Sequence, residues 1–185
     1  MDGYEKTGIT IMYMDVGMDD GDIIKEEEYV IKNDDTFGSL SQILSKMGAN
    51  LLIDTLKDIL TGNVNPIKQN DDEVTFAKII KREDEHLDFN ESVINIDRQV
   101  RGLNPYPYAN ILINDCEVKV IEGFYKEIDS IPCKIMEVNK DNFGIGAKDG
   151  VYFITKLKPA GKKEMRASDY INGMGKDKLL NSEVK

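Results

Sequence analysis

An α/β domain followed by a small, mainly-β barrel is the fold class this sequence predicts, and three observations predict it. Residues 8–14 form an extended run with Ile9, Ile11 and Tyr13 on one face and Thr10, Met12 and Met14 on the other. Both faces are largely apolar, the pattern of a strand covered on both sides in an α/β sheet. A long helical stretch comes soon after it. From residue 109 onward, short β-like runs recur between Asn, Asp and Gly turns, the spacing of a small barrel.

The elements follow in order. After the strand comes an acidic turn, MDVGMDDGDI at 14–23, and then a second extended run over 23–32. The segment from Asp34 to Pro66 reads as helical. Asp35 or Thr36 can cap it, Leu40, Ile43, Leu44 and Met47 share a face, and Leu51, Leu52, Leu56 and Ile59 continue it. Gly62 and Pro66 end it, and Gly48 predicts a bend between two helices. Residues 63–90 are polar and read as an interdomain connection. A helix over about 91–101 carries Val93, Ile96 and Val100 and stops at GLNPYPYA, where two prolines forbid its continuation. The runs ANILIN, EVKVIEGF, CKIMEVN, FGIGAK and VYFITKLK supply the barrel strands, and RASDYINGM the last helix. The expected division is therefore 1–62, a linker over 63–90, and 91–185.

Composition narrows the function classes. The chain has 185 residues, is 41% apolar and carries a formal net charge of −10. All of that excess lies in residues 1–86, with 9 basic and 19 acidic residues, whereas residues 87–185 hold 15 of each. The first part is thus a poor polyanion binder. In the second, eight basic residues face four acidic ones between Lys148 and Lys178. No run approaches the ~18 apolar residues of a membrane span, and the start lacks the pattern of a secretion signal. Two cysteines, Cys116 and Cys133, make neither a disulfide framework nor a zinc site and read as buried reduced thiols. A cytoplasmic protein is expected.

The acidic turn is the candidate site. It crowds Asp15, Asp19, Asp20 and Asp22 at a strand end. As a calcium loop counted from Asp15 it fails at Gly17 and at Asp20, where an oxygen ligand and a glycine belong. As an acid–base site it has more to offer. Strand ends of α/β sheets receive ligands, and Gly17 and Gly21 let backbone approach closely. Crowding and partial burial raise a carboxyl toward neutrality. A solvated acidic turn remains the alternative on these grounds.

TGITIMYMDVGMDDGDI resembles the second half of the active-site motif of folate-dependent formyltransferases. DTFGSLSQILSKMGANLLIDTL, VTFAKIIKREDEHLDF, GLNPYPYA and LKPAGKKEMRASDYINGMG are similar, in order, to segments of the bacterial methionyl-tRNA formyltransferase family. The resemblance covers essentially the whole chain. It implies an incomplete Rossmann-like domain followed by an OB-like barrel. It also implies transfer of a formyl group from 10-formyltetrahydrofolate, as co-substrate and without a metal, to the amino group of initiator methionyl-tRNA. By the same resemblance Asp19 is a catalytic group, Asp15, Val16, Gly17 and Met18 line the folate pterin pocket, and Asp22 supports the turn. Lys81 and Arg82 match a basic linker, and Lys158, Lys162, Lys163 and Arg166 a basic tail that touches tRNA phosphates.

The family's Asn-x-His motif, which supplies its other two catalytic groups, has no counterpart here. The single histidine, His86, falls at an exposed linker position. The chain is therefore expected to be a truncated or split formyltransferase, inactive or nearly so alone, completed by a separate N-terminal half, with no membrane or DNA partner. A catalytically inactive chain that only binds tRNA weakly is the alternative. A sugar-nucleotide amine formyltransferase is the other, disfavoured by the PAGKK ending. The uncovered sheet face also predicts self-association.

Overall fold

A computed structural model describes residues 1–70 and 72–185, and the chain divides into two compact units. One comprises Tyr4–Ile79; the other comprises Ile80–Lys185 together with Met1–Gly3.

The Tyr4–Ile79 unit holds an antiparallel pair, β1 (Lys6–Met12) and β2 (Ile23–Val30), and one helix, α1 (Phe37–Thr61). Thr36 starts the helix with a reciprocal cap. Its hydroxyl accepts from the Ser39 N–H at 3.2 Å, and the Ser39 hydroxyl accepts from the Thr36 N–H at 3.0 Å. Gly62, in the left-handed region at φ 75°, ends it. The bend expected at Gly48 does not occur: α1 runs unbroken for 25 residues. Gly48 instead sits against β1, where an added Cβ would stand 3.5 Å from the Ile9 side chain.

Cover on both faces of β1 is not found either. Along the strand, Thr7, Ile9 and Ile11 are half-buried, while Lys6, Gly8 and Thr10 face solvent. The reason is that, among the described residues, β1 has one antiparallel neighbour, β2, and one helix, α1, packed on it. Leu51 is the one buried apolar residue among the described residues of this unit, and Leu52, Ile53, Leu56 and Leu60 of α1 stand exposed. A unit so thin in core is marginal by itself.

The other unit is built on α2 (Val93–Gly102) and an antiparallel sheet. Its strands are β3 (Ala109–Ile113), β4 (Cys116–Lys126), β5 (Ile135–Val138), β6 (Phe143–Gly146), β7 (Val151–Pro159) and β8 (Met165–Arg166), followed by α3 (Ala167–Met174) and α4 (Lys176–Leu180). The strand order is β3-β4-β7-β6-β5, with β8 on β7, which makes a six-stranded sheet whose ladders leave β3 and β5 as edges. Closed ladders of a barrel are thus absent among the described residues. The C-terminal residues lie along the gap instead: Val184 bridges Ile113, and Glu183 bridges Lys134.

The core is apolar and continuous. Val93, Ile96 and Val100 of α2 pack with Ile111, Val118, Val120, Ile145, Tyr152 and Ile154, all essentially buried. Leu87 and Phe89 belong to it too, although the sequence places them in a polar connection. Their L-x-F alternation is three residues long, too short to register inside the charged run around it. Burial pushes the Tyr152 hydroxyl far above its ordinary pKa, so it stays protonated.

Candidate functional site

The acidic turn is the loop that closes β1 onto β2. The Tyr13 N–H donates to the Asp22 carbonyl at 3.0 Å, which fixes its base. Gly21 is buried there, and a Cβ on it would lie 1.7 Å from the Tyr13 carbonyl oxygen, so only glycine fits. Asp19 takes up φ 58°, a left-handed conformation that Asp tolerates better than most residues. Its side chain, like those of Asp15, Asp20 and Asp22, is exposed. The partial burial expected for these carboxylates is therefore not present in the structure. The loop projects from the end of the two-stranded sheet.

A residue that sequence reasoning missed braces the loop. Ile67 pairs with Ile23 through two hydrogen bonds of 2.8 Å, which brings Gln69 under the turn. The Gln69 amide donates to the Asp19 carbonyl at 2.9 Å and to the Gly21 carbonyl at 2.8 Å. No signal in the sequence marks Gln69, a polar residue in a polar segment.

The far end of the loop is open. Met14, Val16 and Met18 are at least nine-tenths exposed. The Asp15 carboxylate accepts from the Val16 N–H at 2.7 Å. The backbone N–H groups of Asp15, Gly17 and Met18 have no hydrogen-bond partner among the described residues. Free backbone donors beside apolar side chains are what a ligand carrying hydrogen-bond acceptors would meet at this tip. Among the described residues, no three His, Cys, Asp or Glu side chains are grouped to hold a metal.

The basic residues fall into two kinds. Lys158 is the penultimate residue of β7, Lys162 and Lys163 occupy the turn to β8, and Arg166 ends β8, so one hairpin gathers all four. All are exposed and carry no ion pair among the described residues. Arg82 differs: its guanidinium is engaged by both Glu85 and Glu117. Glu117 in turn accepts, through its backbone carbonyl, the Ala160 N–H at 2.9 Å. The linker arginine is thereby tied to the start of the β7–β8 turn. Lys81 is exposed and lies 3.7 Å from Glu83.

His86 is not the free surface histidine expected. It is half-buried, its Nδ1 lies 3.2 Å from the Asn110 side-chain oxygen, and its backbone bridges β3. Cys133 is half-buried, and burial raises its thiol pKa; Cys116 is exposed rather than buried because it opens β4 just after the β3–β4 turn. No helix among the described residues is long and apolar enough to cross a membrane.

Known proteins share both the sequence and the fold. Methionyl-tRNA formyltransferase of Streptococcus uberis is 38% identical over 177 residues, covering 96% of this chain and 57% of that protein. The chain thus spans little more than half the length of the curated relatives it matches. HypX from Aquifex aeolicus in complex with tetrahydrofolic acid has a similar fold, with a TM-score of 0.67 at 16% identity over 93% of this chain and 30% of that one. Methionyl-tRNA formyltransferase from Clostridium thermocellum gives a TM-score of 0.51 at 23% identity, over 69% of this chain and 55% of that one. Residues 1–56 match the formyl transferase model and residues 79–175 the model of the formyl transferase C-terminal domain. Since the latter match alone takes in more than half of the chain, the protein belongs to the formyl transferase family.

Proposed function

We propose that this chain carries the folate loop, one catalytic carboxylate and the tRNA-contacting unit of a methionyl-tRNA formyltransferase. The observation that carries the reading is the loop between β1 and β2. Its base is fixed by Gly21 and Gln69, and its tip presents free backbone donors, in a segment that matches the formyl transferase model. In this reading residues Asp15–Met18 hold the pterin of 10-formyltetrahydrofolate, and Asp19 faces the reacting centre. The amine of methionyl-tRNA attacks the formyl carbon to form the new C–N bond. The tetrahedral intermediate collapses as the bond to the folate nitrogen breaks. Asp19 accepts a proton from the amine nitrogen, which becomes cationic as the C–N bond forms, and returns one to the leaving folate nitrogen. Its exposed position gives it access to solvent protons in the chain alone.

Lys158, Lys162, Lys163 and Arg166 contact the tRNA backbone, which positions the RNA without reading its sequence. Arg82, engaged by two glutamates, has a structural part instead. The C-terminal residues that span the gap between β3 and β5 support reading this unit as a small OB-like barrel. A cytoplasmic location goes with the proposed substrate.

The thin core of the Tyr4–Ile79 unit and the exposed Leu52, Ile53, Leu56 and Leu60 of α1 support a second polypeptide segment as partner. That segment is the remainder of a formyl transferase domain, carrying the Asn-x-His motif. Groups of one catalytic site act as a unit, and a single oxyanion donor is worth roughly 10²–10³ in rate. The test is formylation of methionyl-tRNA by the purified chain, alone and with a separately produced segment of that kind. Near-background activity alone, restored on mixing and abolished by Asp19→Asn, is expected. Activity that survives Asp19→Asn overturns the assignment of Asp19.

A further inference from the structure

The GLNPYPYA turn between α2 and β3 is pinned at several points and holds one side chain free. Its flanks, Leu103 and Ala109, are fully buried. Between them the Tyr108 N–H donates to the Leu103 carbonyl at 2.8 Å, and the Asn104 amide donates to the Ile121 carbonyl at 2.8 Å. Lys119 Nζ donates to the Pro107 carbonyl at 2.7 Å, and the Tyr108 hydroxyl to Glu164 at 3.0 Å. At the apex Tyr106 is 79% exposed, and its hydroxyl has no partner among the described residues. A scattered exposed aromatic is ordinary; one on a backbone anchored this firmly has already lost the freedom that binding would otherwise cost.

The anchors locate the ring. Lys119 lies opposite Lys158 in the β4–β7 register, and Lys156 lies opposite Arg166 in the β7–β8 register. Glu164, which holds Tyr108, follows Lys162 and Lys163 in the β7–β8 turn. Lys156 is paired with Glu122 at 3.3 Å and Glu164 at 3.5 Å, whereas Lys158 and Arg166 have no ion pair among the described residues. The Tyr106 turn is therefore tied to β4 through Lys119, whose strand partner is Lys158, and to the β7–β8 turn through Glu164, two residues before Arg166. A π-face beside cations is the combination that holds unpaired nucleotides, with bases on the ring and phosphates on the cations.

We propose that Tyr106 is a stacking platform for an unpaired base of the RNA whose backbone lies along Lys158 and Arg166. The proposal rests on the tRNA reading above and adds a contact to a base that phosphate-binding lysines cannot make. Lys119, held by the Pro107 carbonyl, fixes the height of the turn over the strands and acts as a positioning residue.

The chain contains no tryptophan, so Tyr106→Trp introduces a unique fluorophore at the ring itself. The full chain and its Tyr106→Ala, Tyr106→Phe and Tyr106→Trp variants are titrated with an initiator tRNA transcript and with a blunt RNA duplex. Tyr106→Ala is expected to weaken tRNA binding about tenfold, the order of one lost stack. The salt dependence and duplex binding stay unchanged, and Tyr106→Phe binds like the parent. Tyr106→Trp is expected to bind tRNA at least as well, with quenched emission. Undiminished tRNA binding by Tyr106→Ala, with unquenched emission from Tyr106→Trp, overturns stacking while leaving the tRNA reading standing. Equal weakening for tRNA and duplex also overturns it. No binding of either RNA by the parent chain removes both.

Discussion

Gln69 and Asp19, fifty residues apart, meet where the Gln69 side-chain amide donates to the Asp19 backbone carbonyl at 2.9 Å. The same nitrogen reaches the Gly21 carbonyl at 2.8 Å, so one amide holds both ends of a turn whose first residue, Asp19, has a left-handed backbone. The proposed catalytic carboxylate is thus oriented from below by a residue that does not touch its side chain.

Replacing Gln69 by Ala removes both bonds, and a loss of about 1 kcal/mol is expected, the typical net worth of such a hydrogen bond. Gln69→Glu should be worse, because a carboxylate would face two carbonyl oxygens. Hydrogen exchange checks this: the Tyr13 N–H, bonded to Asp22, should exchange faster in both variants. Unchanged protection at Tyr13 would show that the turn holds itself.

Asp149 caps α2 from across the sequence. Its carboxylate accepts from the Val93 N–H at 2.8 Å and from the Ser92 hydroxyl at 2.8 Å. The Val93 N–H above all, then the Ser92 hydroxyl, holds its carboxyl below the usual range. A depressed folded-state pKa contributes stability that is fully present above the unfolded value, about 3.9, and is lost as pH falls through the folded value. Asp149→Ala should cost about 1 kcal/mol at neutral pH, the typical worth of a cap. Thermal melts should then show the variant and parent converging in acid; a gap that persists there would place the effect elsewhere.

Gly48 offers a gain. An added methyl group meets Ile9 at 3.5 Å, an ordinary contact, and mid-helix glycine is less favourable than alanine by roughly 0.5–1 kcal/mol. Gly48→Ala is expected to raise the midpoint of denaturant unfolding of the first unit. A lowered midpoint would mean that the methyl group disturbs the packing of α1 on β1 by more than the helix gains.

The basic residues should separate by function. Lys158→Ala or Lys162→Ala should reduce the slope of log affinity for tRNA against log salt by about 0.7–0.9 each. Arg82→Ala should leave that slope alone and lower thermal stability, because it removes the partner of Glu85 and Glu117. Titrations at several salt concentrations, beside melts, give both readouts.

Much of the fold was legible because its signals are local. Thr36 and Gly62 bracket α1 by capping chemistry, and the strands of the second half stand out between Asn, Asp and Gly turns. What was not legible depends on distant partners. Gly48 reads as a helix break until Ile9 is placed beneath it. Arg82 reads as a phosphate ligand, and nothing local announces its ion pair with Glu117, thirty-five residues on. The acidic turn drew attention through its charge, but the residue that shapes it, Gln69, carries none. Short elements escaped too: β8 has two residues and α4 five, below any useful window.

The C-terminal residues beside β3 have a practical consequence for handling the protein. Lys185 exchanges two hydrogen bonds with Leu112, at 2.8 and 3.0 Å, and the Leu87 N–H takes the Asn110 carbonyl at 2.9 Å. Only Ile111 separates these two claims on the same strand. A purification tag fused directly after Lys185 would start as a continuing strand and run into Leu87 within about two residues. A glycine spacer, which can turn away at once, keeps such a fusion from prying His86–Leu87 off the sheet.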